Sequence, residues 1–199
     1  RQAAIEFDVE LKGSGTAGTP PEFGDLIRAC GFLETIVGGT SVIYTPASSA
    51  IPSLTMALYE DGIANKIWGA RGSMKISLEQ GKPGMIHFNF TGADFSVTDV
   101  ALLAGTSFQT TLPPAFLSAQ FTLASYAALI SKLEIDIANS LALRPDINQS
   151  SGYKSVMIGA REPVMSLDPE KVLVATHDFY GLMRAGTEGA LSTVLGSVA

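Results

Sequence analysis

Residues 10–24 read ELKGSGTAGTPPEFG and carry the spacing G-x-G-x-x-G at Gly13, Gly15 and Gly18. In a doubly wound α/β domain this spacing cradles a dinucleotide. It needs a buried parallel strand before it, a helix opening directly from it, and an acid about 20 residues on for the ribose. None of these neighbours is in place. The preceding residues AIEFDVEL (4–11) alternate, with Ile5, Phe7, Val9 and Leu11 on one side and Glu6, Asp8 and Glu10 on the other. That pattern is a strand with one wet face, unlike a parallel strand covered on both faces. Thr19, Pro20 and Pro21 separate the glycines from the next helical pattern, so no helix N-terminus meets Gly18. The loop therefore reads as a pliable joint whose glycines allow tight turns or close approach. A nucleotide-dependent enzyme using Gly13–Gly18 stays as the remote alternative.

Outward from this joint, the chain reads as antiparallel β. Phe23, Leu26, Ile27 and Cys30 fall at helical spacing, with prolines at the entry and Gly31 at the exit, which predicts a short amphipathic helix. SLTMALYEDGIANKIW (53–68) is a hairpin pattern whose Asp61-Gly62 suits a tight primed turn. SMKISL (73–78) and MIHFNFT (85–91) alternate as strands joined by a Gly/Pro turn, so four successive strands are expected between 53 and 91. LISKLEIDIA (129–138) and SVMIG (155–159) are further strands, with RPDINQSSG (144–152) as a loop. A second helix is expected over about 169–184, with Asp168 as N-cap, Pro169 at the first position, Val172, Ala175, Phe179 and Leu182 as its stripe, and Gly186 as its stop. The expected fold is mainly β, sandwich- or barrel-like, with one or two flanking helices. It forms a single domain over 1–199. A weak echo between GARGSMKISLE (69–79) and GAREPVMSLDPE (159–170) leaves open two related halves, about 1–110 and 111–199.

Composition narrows the function. Of 199 residues, 46% are apolar and only 16% charged, against about 25% charged in an average soluble domain. A chain so poor in charge is expected to cover much of its surface with neighbours. The net charge of −6 disfavours a grip on nucleic-acid phosphates. No apolar run approaches the length of a membrane span, no N-terminal signal pattern is visible, and the lone Cys30 cannot form an intramolecular disulfide.

Catalytic vocabulary is sparse. His87 and His177 lack further ligands at metal spacing, and Cys30 lies on the apolar face of its helix, so no metal or nucleophile is expected. Glu134 and Asp136 share a strand face as solvated residues rather than an acid–base pair. The charged residues expected to be structurally engaged are Arg71 and Arg161, each after Gly-Ala, where a guanidinium can clamp carbonyls or a carboxylate across a subunit contact. Trp68 is a candidate interface anchor, with core packing as the alternative.

Several segments, in order, resemble the tail tube proteins of long-tailed bacteriophages: GSGTAGTPPEFGDLIRACGF (13–32), TSVIYTPASSAIPSLTMALYEDGIANKIWGARGSMKISLEQGKPGMIHFNFTG (40–92), LEIDIANSLALRPDINQSSGYKSVMIGAREPVMSLDPE (133–170) and ATHDFYGLMRAGTEGALSTVLG (175–196). The resemblance implies rings of six copies that stack into a hollow tube with a continuous inner β-barrel conducting DNA into the host. It implies no cofactor, metal or catalytic residue, and as partners further copies of the chain, the tape measure, the terminator and the baseplate. It implies assembly in the host bacterial cytoplasm and residence in the virion tail, without membrane insertion. Where the family leads one to expect a closing segment, this chain stops at LGSVA (195–199). Within that frame Glu6, Asp8, Glu10, Glu134 and Asp136 are candidates for an acidic lumen that lets DNA slide. Loops 38–53 and 105–114 are candidates for stacking. Another ring-forming tail component, such as a terminator or baseplate adaptor, or an injection-device tube is the nearest alternative.

Overall fold

A computed structural model describes residues 1–196; residues 197–199, within the LGSVA stretch, lie outside the described residues. Along the first half run β1 (Ala3–Glu10), α1 (Gly24–Ala29), β2 (Phe32–Val37), β3 (Ser41–Pro46), β4 (Leu54–Glu60), β5 (Ile63–Glu79), β6 (Met85–Gly92) and β7 (Asp94–Asp99). The second half supplies β8 (Thr122–Leu123), β9 (Lys132–Asp136), β10 (Asn139–Pro145), β11 (Tyr153–Arg161), β12 (Val164–Leu167), α2 (Phe179–Ala185) and β13 (Leu191–Ser192). The protein is mainly β, and all its strand ladders are antiparallel.

The main sheet runs β1-β6-β5-β9-β12, with β4 and β7 flanking the first part of β5. Its inner face is built by the alternation visible in the sequence: Ile5, Phe7 and Val9 lie beside Ile86, Phe88 and Phe90, with Met74, Ile76 and Leu78 on β5 and Leu133 and Ile135 on β9. The rings of Phe7 and Phe88 lie 5.8 Å apart and those of Phe7 and Phe90 6.2 Å. Onto this layer α1 presses Phe23, Ile27 and Cys30, and Gly31 at φ 89° ends it as expected. A second cluster gathers Leu78, Phe116, Phe121, Ala128 and Leu133 at the other end of the sheet.

Three expectations are corrected. Residues 53–91 form three strands, because the second and third expected strands are one continuous β5. Gly69, at φ 62°, places a bulge where Leu54 pairs Ala70 but Met56 pairs Ile67. The extra residue switches the inward parity from Ile67 to Ala70 and Met74, which makes one strand read as two. The expected helix over 169–184 is only α2, capped by Asp178, whose carboxylate accepts from the Gly181 N–H, and closed by left-handed Gly186. Asp168 is no cap: its carboxylate accepts from the backbone N–H groups of Ser131 (3.0 Å) and Lys132 (2.8 Å). Finally, the expected loop 38–53 contains β3, which pairs with β2 through a turn at Gly38 and Gly39.

The Gly13–Gly18 joint follows a strand paired antiparallel to β6, and α1 opens only at Gly24. Gly18, at φ 70°, lies against the β2–β3 turn, where an added Cβ would sit 2.6 Å from the Val37 carbonyl oxygen. The joint is thus a close-packing device. The echo segments 69–79 and 159–170 differ in structure, the first lying within β5 and the second spanning the end of β11 and β12. β5 and β12 flank β9 in equivalent register, Ile76 and Met165 both opposite Ile135, Leu78 and Leu167 both opposite Leu133.

Candidate functional site

Strand pairing brings the five candidate lumen carboxylates onto one sheet face. Residues directly opposite in an antiparallel ladder share a face. Asp8 lies opposite His87, His87 opposite Lys75, and Lys75 opposite Asp136. The next rows are Glu6–Asn89–Ser73 on one side and Glu10–Met85–Ser77–Glu134–Ser166 on the other. The wet face therefore spans all five strands from β1 to β12, directly behind the phenylalanine-rich core.

Residues beyond the five carboxylates moderate the charge of this face. Lys75 Nζ lies 3.0 Å from Glu134, and Lys132 Nζ 3.4 Å from the same carboxylate. The hydrogen bond and positive charge of Lys75 hold the Glu134 carboxyl below the usual carboxylate range, so it stays ionised. His87 Nδ1 lies 3.0 Å from Asp8, and Asn89 Nδ2 donates to Glu6 at 2.6 Å. Lys75, His87 and Asn89 alternate with core residues in their own strands, so their outward direction was readable. Their acidic partners were not, because those come from strands distant in sequence.

An open recess of about 360 Å³ lies on this face, lined by Ser73, Lys75, His87, Asn89, Asp136 and Asn139. Its one hydroxyl, Ser73 Oγ, accepts from the Asn139 backbone N–H at 3.0 Å. Most of its side chains are held by residues outside it: Lys75 by Glu134, His87 by Asp8 and Asn89 by Glu6. Among the described residues, no group of three or more His, Cys, Asp or Glu is placed to hold a metal ion. Cys30 is fully buried, and burial pushes its thiol up to about 12 against the opposing charge of Arg161. His177 stacks on Tyr126 at 4.5 Å, away from the wet sheet face.

The two arginines bind carbonyls of their own chain. Arg71 on β5 donates from Nη1 to the Val156 oxygen (2.8 Å), from Nη2 to Ile51 (2.6 Å) and from Nε to Pro52 (3.3 Å). Arg161 on β11 donates from Nη2 to Gly31 (2.8 Å) and from Nε to Asn139 Oδ1 (3.1 Å), and lies over the Phe32 ring. Trp68, at the β5 bulge, is 37% exposed.

Large apolar side chains are exposed elsewhere: Leu33 and Ile43 on the outer face of β2–β3, Leu58 and Val97 beside β5, and Phe108 and Leu112 at 80% and 85% in the irregular segment after β7. No helix among the described residues is long and apolar enough to cross a membrane. Comparison with protein-family models, with curated proteins and with solved structures returns no match.

Proposed function

We propose that the chain is a structural, self-assembling subunit of a tail tube, forming stacked rings, six copies each by the resemblance, whose bore conducts DNA. The observation that carries this reading is the acidic wet face shared by Glu6, Asp8, Glu10, Glu134 and Asp136 on one continuous sheet. Double-stranded DNA carries one negative charge per about 1.7 Å of axis. A basic wall would hold it through counterion release, whereas an acidic wall keeps it hydrated and mobile. The low charged fraction and the exposed Leu33, Leu58, Val97, Phe108 and Leu112 support burial of large surfaces between copies. Catalysis has no comparable support, since the glycine joint lacks its helix, α1 opening only at Gly24.

Electron microscopy of the purified protein tests the proposal. Uniform open-ended tubes are expected. Single closed rings would favour a terminator or adaptor, and a monomer at every concentration would overturn assembly altogether. Calorimetry with NAD, FAD and ATP is the complementary check: tight binding of any of them would replace this reading with the enzymatic one.

A further inference from the structure

Left-handed backbone is concentrated in residues 118–125. Ser118 (φ 52°), Gln120 (φ 43°), Ala124 (φ 49°) and Ser125 (φ 65°) all have positive φ, a region that few residues other than glycine enter. Each such residue disfavours its own conformation about tenfold, because its Cβ crowds the following carbonyl. Ala124 and Ser125 sit at the centre of a tight turn. The Leu123 N–H donates to the Tyr126 carbonyl at 2.8 Å, and the Tyr126 N–H to the Leu123 carbonyl at 2.9 Å. With both central residues left-handed, this is the primed turn that Asn-Gly or Asp-Gly ordinarily supplies, built here from Ala-Ser. A conformation that the residues themselves oppose persists only where partners impose it.

The partner is the strip 189–194, which runs antiparallel beside 119–124. The Ala124 N–H donates to the Ala190 carbonyl at 2.8 Å, and Leu191 and Ser192 of β13 pair with Leu123 and Thr122 of β8. At the other end the Ala119 carbonyl accepts from the Val194 N–H (2.7 Å) and from Thr193 Oγ1 (3.1 Å). Among the described residues, the backbone of 118–125 has no other hydrogen-bond partner outside its own turn. Gly189 lets the two stretches touch, since an added Cβ there would sit 2.8 Å from the Ala124 Cβ. Leu191 and Leu195 pack over the cluster of Leu78, Phe116, Phe121, Ala128 and Leu133. Phe116, whose N–H donates to the Lys82 carbonyl at 2.8 Å, fixes the entry of the segment to the main sheet.

We infer that 118–125 and 189–194 form a two-state clasp. Closed, the strip imposes the left-handed conformation and covers the cluster. Open, the strip lifts, 118–125 relaxes to ordinary φ, and apolar surface is uncovered. The strain of four residues lowers the cost of opening, so the molecule yields here to whatever captures the strip. The clasp belongs to the single chain and is independent of the tube reading.

Hydrogen exchange at the Ala124 and Val194 amides, which bridge the two stretches, reads the opening. Ser118→Gly, Gln120→Gly and Ser125→Gly each remove a Cβ at a left-handed position and are expected to raise this protection several-fold. Ala119→Gly, where φ is not positive, is expected to lower it. No gain from any of the three would overturn the strain. Gly189→Ala forces the strip away from Ala124. The expected result is loss of protection at both amides and binding of anilinonaphthalene sulfonate, with the β6 amides still protected. In that background the three glycine substitutions should no longer raise the urea midpoint. A gain that persists there, or full Val194 protection despite Gly189→Ala, would overturn the clasp. The glycine variants are stabilised chains, so the first arm decides even where Gly189→Ala does not fold.

Discussion

Asn139 is the buried polar residue on which several elements converge. Its Nδ2 donates to the carbonyls of Cys30 (2.7 Å) and Gly72 (3.0 Å), while its Oδ1 accepts from Arg161. One side chain therefore satisfies the end of α1, the middle of β5 and a guanidinium. Asn139→Ala leaves these largely buried groups without their partner, at a cost of about 1–3 kcal/mol. The expected result is a lower urea midpoint with an unchanged slope. Asp168 is a second residue-scale device, anchoring the turn before β9. Hydrogen bonds from Ser131 and Lys132 hold its carboxyl below the usual range. A depressed folded-state value means the stabilisation is complete above the unfolded value of about 3.9 and declines as the pH falls through the folded one. Protection of the Ser131 and Lys132 amides against hydrogen exchange should fade with acid in the wild type. The acid dependence should vanish in Asp168→Asn.

At the scale of elements, the bulge in β5 lets one strand serve two pairings. Before it β5 lies between β4 and β7, and after it between β6 and β9. The conformation falls on Gly69, where an added Cβ meets only Ala93 at 3.5 Å. The cost of Gly69→Ala is therefore one of backbone conformation, about 1–2 kcal/mol for a left-handed residue. Calorimetry should show a melting temperature lower by several degrees. Gly38→Ala, where φ is not positive and nothing lies within 4 Å, serves as the neutral control. The second helix illustrates the opposite limit. Val172, Ala175, Phe179 and Leu182 keep helical spacing, yet the helix begins only at Phe179. The Glu170 N–H is drawn instead to the Leu129 carbonyl, and Asp168 to the turn before β9. Tertiary partners outcompete the local period, since short helices are marginal without them.

At the scale of the whole molecule, the main sheet turns five carboxylates to one face and the apolar core to the other. If the wet face lines a bore, changing Glu6, Asp8 and Glu10 together to lysine brings the net charge from −6 to about zero and turns the β1 margin basic. Assemblies of the triple variant should retain double-stranded DNA at low salt in co-sedimentation and release it steeply as salt rises. Equal retention by the wild type would remove the sliding argument.

The sequence by itself determined the antiparallel β character, the direction of side chains along β1, β6 and β9, the Asp61-Gly62 turn and α1. Each is encoded by residues close in the chain, through a period of two, a glycine at positive φ or a proline at a helix entry. It likewise showed that the Gly13–Gly18 joint lacks the directly opening helix that a phosphate cradle requires. What only the tertiary structure decided is which wet faces merge. The row Asp8–His87–Lys75–Asp136 joins positions distant in sequence, and its composition depends on ladder register, where a slip of one residue reverses every side chain. The continuity of β5 through Gly69, the pairing of β2 with β3, and the intramolecular targets of Arg71 and Arg161 were hidden for the same reason. They are set by packing and by backbone groups seeking partners across the fold, information that no local window of sequence contains.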